Sequence, residues 1–166
     1  SSYNIPAVKI LEKNGLENFL DFAKKAGIKT FTDPSRYGLS LTLGGGEVTM
    51  MDMATAYSIF PNSGQRVDLH PTLLVKNFRG QILEDYRSGK NLSQENIISS
   101  KTAFLISNIL ADNNARTPAF GPGSALVIPN QTVSVKTGTA QDKRDNWAIG
   151  YTPSYLVAVW VGNNDN

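Results

Sequence analysis

The 166-residue sequence predicts an α+β fold in which an antiparallel sheet is packed with helices. Three observations lead there. The last third reads as strand, polar connection, strand, turn, strand, over residues 132–139, 147–151 and 155–162. Earlier segments at 16–26, 50–60 and 93–111 repeat apolar residues at helical spacing. Hydrophobic content of 40% with 18% charge suits one soluble globular domain with a real core.

The elements follow in order. Ser2 or Asn4 reads as the N-cap of a first short helix through Val8, Ile10 and Leu11, with Pro6 tolerated in its first turn and Gly15 closing it. A second helix, 16–26, places Leu16, Phe19, Leu20, Phe22 and Ala23 on one face and stops at Gly27. Residues 28–48 are loop-rich. Asp33-Pro34-Ser35-Arg36 is turn chemistry, and Gly44-Gly45-Gly46 is a turn before a helix, since no phosphate-loop pattern surrounds it. Thr49 caps a helix over 50–60, with Met50, Met51 and Met53 as core filler and Ala54, Ala56 and Tyr57 facing inward. Pro61-Asn62-Ser63-Gly64 breaks it. Residues 73–78 and 81–86 form a peripheral hairpin about Arg79-Gly80. Ser93 caps a helix to about Ala111, with Phe104, Leu105, Asn108 and Ile109 as its stripe. Residues 117–129, with Pro118, Gly121, Pro122, Gly123 and Pro129, read as an ordered loop. In the final meander Val159 and Val161 pack one face, and Trp147 and Trp160 are core or cross-strand residues.

Bulk properties exclude several functions. Sixteen basic against 14 acidic residues give a net charge of +2, with Lys24-Lys25 the longest basic cluster, which argues against nucleic acid as a partner. The chain has no cysteine, so disulfides, thiolate chemistry and cysteine zinc sites are out. The single histidine, His70, precedes Pro71 in a connection and is poorly placed for a Ser-His-Asp triad. No apolar run has the ~20 residues of a membrane span. The sequence opens in Ser1-Ser2-Tyr3-Asn4 with neither an initiating Met nor a signal peptide, and the expectation is a piece of a longer protein.

The first strand of the meander carries the chemistry. Val133 and Val135 alternate with Thr132 and Ser134, then Lys136, Thr137, Gly138 and Thr139 end the strand. Period-2 geometry sets Thr137 and Thr139 on one side and Lys136 on the other. Two hydroxyls beside a lysine suit a carboxylate. Gly138 lets a ligand approach the backbone, and the Thr139 N–H suits an oxyanion.

Ser-x-Asn at Ser2 and Asn4, with Lys-Thr-Gly-Thr at 136–139, resembles the second and third motifs of the penicillin-binding transpeptidases. The surrounding residues resemble the family too: Ser2-Tyr3-Asn4-Ile5-Pro6-Ala7-Val8; Leu43-Gly44-Gly45-Gly46-Glu47-Val48-Thr49 with Met53-Ala54-Thr55-Ala56-Tyr57; and Asp145-Asn146-Trp147, Gly150-Tyr151-Thr152-Pro153 and Val159-Trp160-Val161-Gly162. Over essentially the whole chain the pattern is similar to the C-terminal part of the transpeptidase domain of class A, bifunctional penicillin-binding proteins. The sequence departs from the family at one point. No serine has a lysine three positions on, so the Ser-x-x-Lys nucleophile motif is absent.

The resemblance implies the penicillin-binding transpeptidase or serine β-lactamase-like fold, incomplete at its N-terminal side. Residues 1–166 would be a partial domain, inactive alone. The implied activity is D,D-transpeptidation, with a serine outside these residues attacking the D-alanyl-D-alanine of a peptidoglycan stem peptide. Ser2 and Lys136 would relay protons to the leaving amine, and Asn4 would hold the substrate amide. Thr137, Gly138 and Thr139 would form the substrate-binding strand, with the threonine hydroxyls on the terminal carboxylate. Partners implied are stem peptides, β-lactams and the missing N-terminal segment of the same domain; no metal or organic cofactor is needed. The implied location is the extracytoplasmic face of the cell membrane, with the parent anchored upstream. A serine β-lactamase, a penicillin sensor or a non-catalytic binding domain stand as alternatives. The first of these needs a deacylating base, for which 28–48 offers no clear candidate.

Overall fold

A computed structural model describes residues 2–87, 94–140 and 144–163. Helix α1, Asn4–Asn14, ends at Gly15, whose N–H donates to the Leu11 carbonyl. Tyr3, not Ser2 or Asn4, is its N-cap, and no side chain caps the helix, so the capping role expected of those two residues is not realised. Helix α2, Leu16–Lys25, follows directly. Leu11, Leu20 and Leu41 form a small core with Leu16, Phe19, Phe31 and Tyr37 packed around it. Phe22, expected on the inner face, is exposed. The 28–48 segment forms 3-10 turns at Pro34–Arg36 and Leu39–Leu43, the first capped by Asp33.

Helix α3, Met50–Ser58, has the expected Thr49 cap, whose hydroxyl accepts the Asp52 N–H. It buries Asp52, Ala54, Thr55 and Ser58. Met50 and Met51, expected as core filler, are exposed in the first turn of the helix. Asp52 is tolerated inside because it accepts the Lys29 N–H at 3.0 Å.

Two short strands were not evident in the sequence. Strand β1, Gln65–Val67, pairs antiparallel with β4, Gln94–Asn96; between them lie β2, Leu74–Lys76, and β3, Ile82–Asp85, which form the expected hairpin. Three residues are too few to display an alternation. Gly64, at φ +95°, lets the chain into β1 pass against the connection after β4: an added Cβ would lie 2.1 Å from the Ile98 carbonyl oxygen.

Helix α4, Ser100–Ala111, starts later than expected, because residues 94–96 are strand. Ser99 is its cap, while Ser93 lies outside the described residues. Its buried side is Ala103, Ile106, Ser107 and Leu110, whereas Phe104, Leu105 and Ile109 of the expected stripe are exposed. Part of the expected loop is a further helix, α5, Asn113–Phe120, with Asp112 as N-cap and Pro118 inside it.

The meander is β5, Ser134–Thr139, β6, Asp145–Tyr151, and β7, Leu156–Gly162, in the order β5-β6-β7. Trp147 stands opposite Trp160, with ring centroids 6.4 Å apart, a cross-strand pair as expected. Helix α4 packs on β5 and α3 on β6 and β7. That layer holds Ile149, Phe60 stacked on Tyr151 at 6.1 Å, and a polar contact between Tyr151 Oη and Ser107 Oγ at 3.1 Å. Val159 and Val161, expected to pack, lie on the other, open face.

Candidate active site

Strand β5 is an edge strand, and its register decides which backbone groups are free. Ala140 donates to the Asp145 carbonyl at 2.9 Å, so 140 and 145 form a hydrogen-bonded pair. Alternation then makes 138 with 147, 136 with 149 and 134 with 151 the bonded pairs. The N–H and C=O of Thr139, Thr137 and Val135 therefore point away from β6, to the open edge. The Thr139 N–H, singled out in the sequence, lies on that edge.

Lys136 and Gly138 share the helix-covered face with Trp147 and Ile149; Thr137 and Thr139 project to the other. A Cβ at Gly138 would meet Trp147 Cβ at 3.4 Å, so the glycine seats its strand against the indole. Ser134, two residues before Lys136, anchors the strand by donating from Oγ to the Ser107 carbonyl of α4 at 2.7 Å.

Two segments far apart in the chain meet here. Lys136 Nζ donates to Ser2 Oγ at 2.6 Å across a separation of 134 residues, and also to the Thr137 carbonyl at the open edge. Burial holds the Lys136 ammonium below the ordinary lysine value. A lysine more easily deprotonated, in contact with a hydroxyl, has the chemistry to pass a proton along that hydrogen bond. Asn4 is exposed on the first turn of α1, two residues from Ser2, and both border an open hollow of about 380 Å³. On its other side Ser2 borders a second cavity, of about 140 Å³, with Lys136 and Thr137. Asp112 and Arg116 also line that cavity. Sequence reading missed both, because 112–116 looked like a helix end. No group of His, Asp or Glu fit for a metal occurs among the described residues.

The penicillin binding protein transpeptidase domain model matches residues 1–166. The chain belongs to the penicillin-binding protein transpeptidase family. Penicillin-binding protein 1A of Clostridium acetobutylicum is 32% identical over 98% of the chain, which spans 19% of that relative's length. The corresponding protein of Neisseria flavescens is 28% identical over 98%, and the chain spans 20% of it. Among solved structures, PonA1 of Mycobacterium tuberculosis in complex with penicillin V is 25% identical with a TM-score of 0.71, over 93% of this chain and 43% of that one. Penicillin-binding protein 1A from Haemophilus influenzae superposes with a TM-score of 0.75 at 22% identity, over 99% of this chain and 29% of that one. The relatives are class A penicillin-binding proteins, and the transpeptidase α+β fold expected from the sequence is the one observed. The chain thus spans about a fifth of the curated relatives it matches.

Proposed function

We propose that this chain supplies the Ser-x-Asn and Lys-Thr-Gly walls of a D,D-transpeptidase site, acting outside the cytoplasmic membrane as part of a longer, membrane-anchored class A protein. The observation that carries this is the Lys136–Ser2 hydrogen bond, which joins the two family motifs at the free edge of β5. In the proposed reaction a serine outside residues 1–166 bonds through its Oγ to the carbonyl carbon between two terminal D-alanines. The amide C–N bond breaks and D-alanine leaves. An amine of a neighbouring stem then attacks the ester and releases the serine. Ser2 and Lys136 pass the proton to the leaving amine, and Asn4 holds the substrate amide. The Thr137 and Thr139 hydroxyls take the terminal carboxylate in the positive field of Lys136. The Thr139 N–H, free at the edge, is one donor of the oxyanion hole. A β-lactam presents a similar carboxylate and amide, and the likeness to PonA1 with penicillin V supports it as a ligand of the completed site.

Intact mass measured with and without excess penicillin, on this chain and on a form extended upstream through a Ser-x-x-Lys segment, tests the reading. The expected adduct forms on the extended form alone. A stoichiometric adduct on the 166-residue chain would place the nucleophile within it and overturn the assignment.

A further inference from the structure

Arg116 is a buried cation, only 8% exposed, at the junction of α4 and α5. Its Nη1 donates to the Leu110 carbonyl at 2.6 Å, while Nε is buried and has no partner among the described residues. The two ion pairs of the described residues, Arg66–Asp68 and Arg87–Asp85, do not include it. The nearest carboxylate in sequence, Asp112, spends Oδ1 on the Ala115 N–H as the α5 cap. A buried guanidinium with an unsatisfied donor and no ion-pair partner among the described residues is costly, and an anion delivered to it would relieve that cost. Arg116 lines the same 140 Å³ cavity as Ser2, Lys136 and Thr137. The volume is ample for a carboxylate group, given about 30 Å³ for one water. Two cations, Lys136 and Arg116, and one carboxylate, Asp112, thus border one cavity at the open edge of β5. The planar fork of arginine suits a carboxylate better than a second lysine would.

We infer that Arg116 is a further substrate-binding residue, which completes a carboxylate subsite in the cavity it shares with Lys136 and Thr137. This rests on the transpeptidase reading for the identity of the carboxylate, the C-terminus of a D-alanyl peptide. It does not rest on that reading for the subsite itself.

The test follows the Arg116 Nε–Hε resonance of the 166-residue chain by NMR while N-acetyl-D-alanine is added, with its methyl ester as the control lacking charge. The expected result is a saturable shift with the acid and none with the ester. Arg116→Gln should weaken binding by about tenfold or more, as for loss of a charge-assisted hydrogen bond, and Arg116→Lys by less. No shift at Nε, or equal shifts with acid and ester, overturns the proposal; this arm uses the unmutated chain and needs no variant to fold. A resonance that ignores the acid but moves when the chain is extended upstream means that Arg116 pairs with a carboxylate of the protein, and also overturns it. Binding of the acid here with no penicillin adduct on the extended form leaves the subsite standing and sinks the transpeptidase reading alone.

Discussion

The two faces of the β5-β6-β7 sheet are built from the same strands and have opposite fates. One face meets α3 and α4 and carries Ser134, Lys136, Ile149 and Tyr151; Ile149 is 2% exposed. The other carries Val157, Val159 and Val161, and Val161 is 65% exposed. The apolar residues of the open face are at least as β-branched as those of the covered one, so hydrophobicity alone does not separate them. What separates them along β6 and β7 is which face the helices reach; on β5, Val135 shares the second face and is nonetheless buried. The candidate site lies where covered face meets free edge: the covered face desolvates Lys136, and the edge leaves strand amides for a ligand.

The largest effect should come from truncating each face in turn. Ile149→Ala should cost about 2–5 kcal/mol in chemical denaturation, as for a buried aliphatic cavity. Val161→Ala should cost less than about 1 kcal/mol. Equal costs would break the comparison and show that the open face is covered in solution. The open face also predicts behaviour at high concentration. With Phe104, Leu105 and Ile109 exposed on α4 as well, the chain should self-associate in sedimentation velocity, and Val159→Lys should reduce the association. A compact monomer at all concentrations would contradict this.

A smaller effect should follow from the polar seam behind the site. Tyr151→Phe removes the contact with Ser107 Oγ and should cost about 1 kcal/mol, with the fold retained. Smallest is the pH effect of Lys136. Its folded pKa lies below the ordinary 10.5, so between the two values the unfolded chain binds more protons. Stability from this group is lowest below the folded pKa and recovers as pH rises through it towards 10.5. The wild type should therefore gain stability relative to Lys136→Met over that window, read from denaturation midpoints at stepped pH. A constant difference would mean that Lys136 is not desolvated.

Much of this architecture was legible in the chain. The meander was, because three strands of alternating or apolar residues are set off by Pro-containing turns and a polar connection. So were the Thr49 cap and the hairpin about Arg79-Gly80, which depend on neighbours a few residues away. The failures have a common cause. Ser2 is a good capping residue by type, yet its oxygen accepts from Lys136, 134 residues away. Phe104, Leu105 and Ile109 form a helical stripe, but α4 turns Ala103, Ser107 and Leu110 to the sheet instead, because small residues and a hydroxyl allow close approach to β5 and a hydrogen-bonding partner for Tyr151. Pro118 suggested a loop, but a helix capped by Asp112 accommodates it.

The sequence by itself determined the local elements, the family motifs and the absence of cysteine chemistry, since these depend on residue type and short spacing. Tertiary structure alone decided which sheet face is covered, that Lys136 meets Ser2, and that Arg116 comes to the same cavity. Those outcomes depend on desolvation and on contacts between residues far apart in the chain, and neither leaves a period in the sequence.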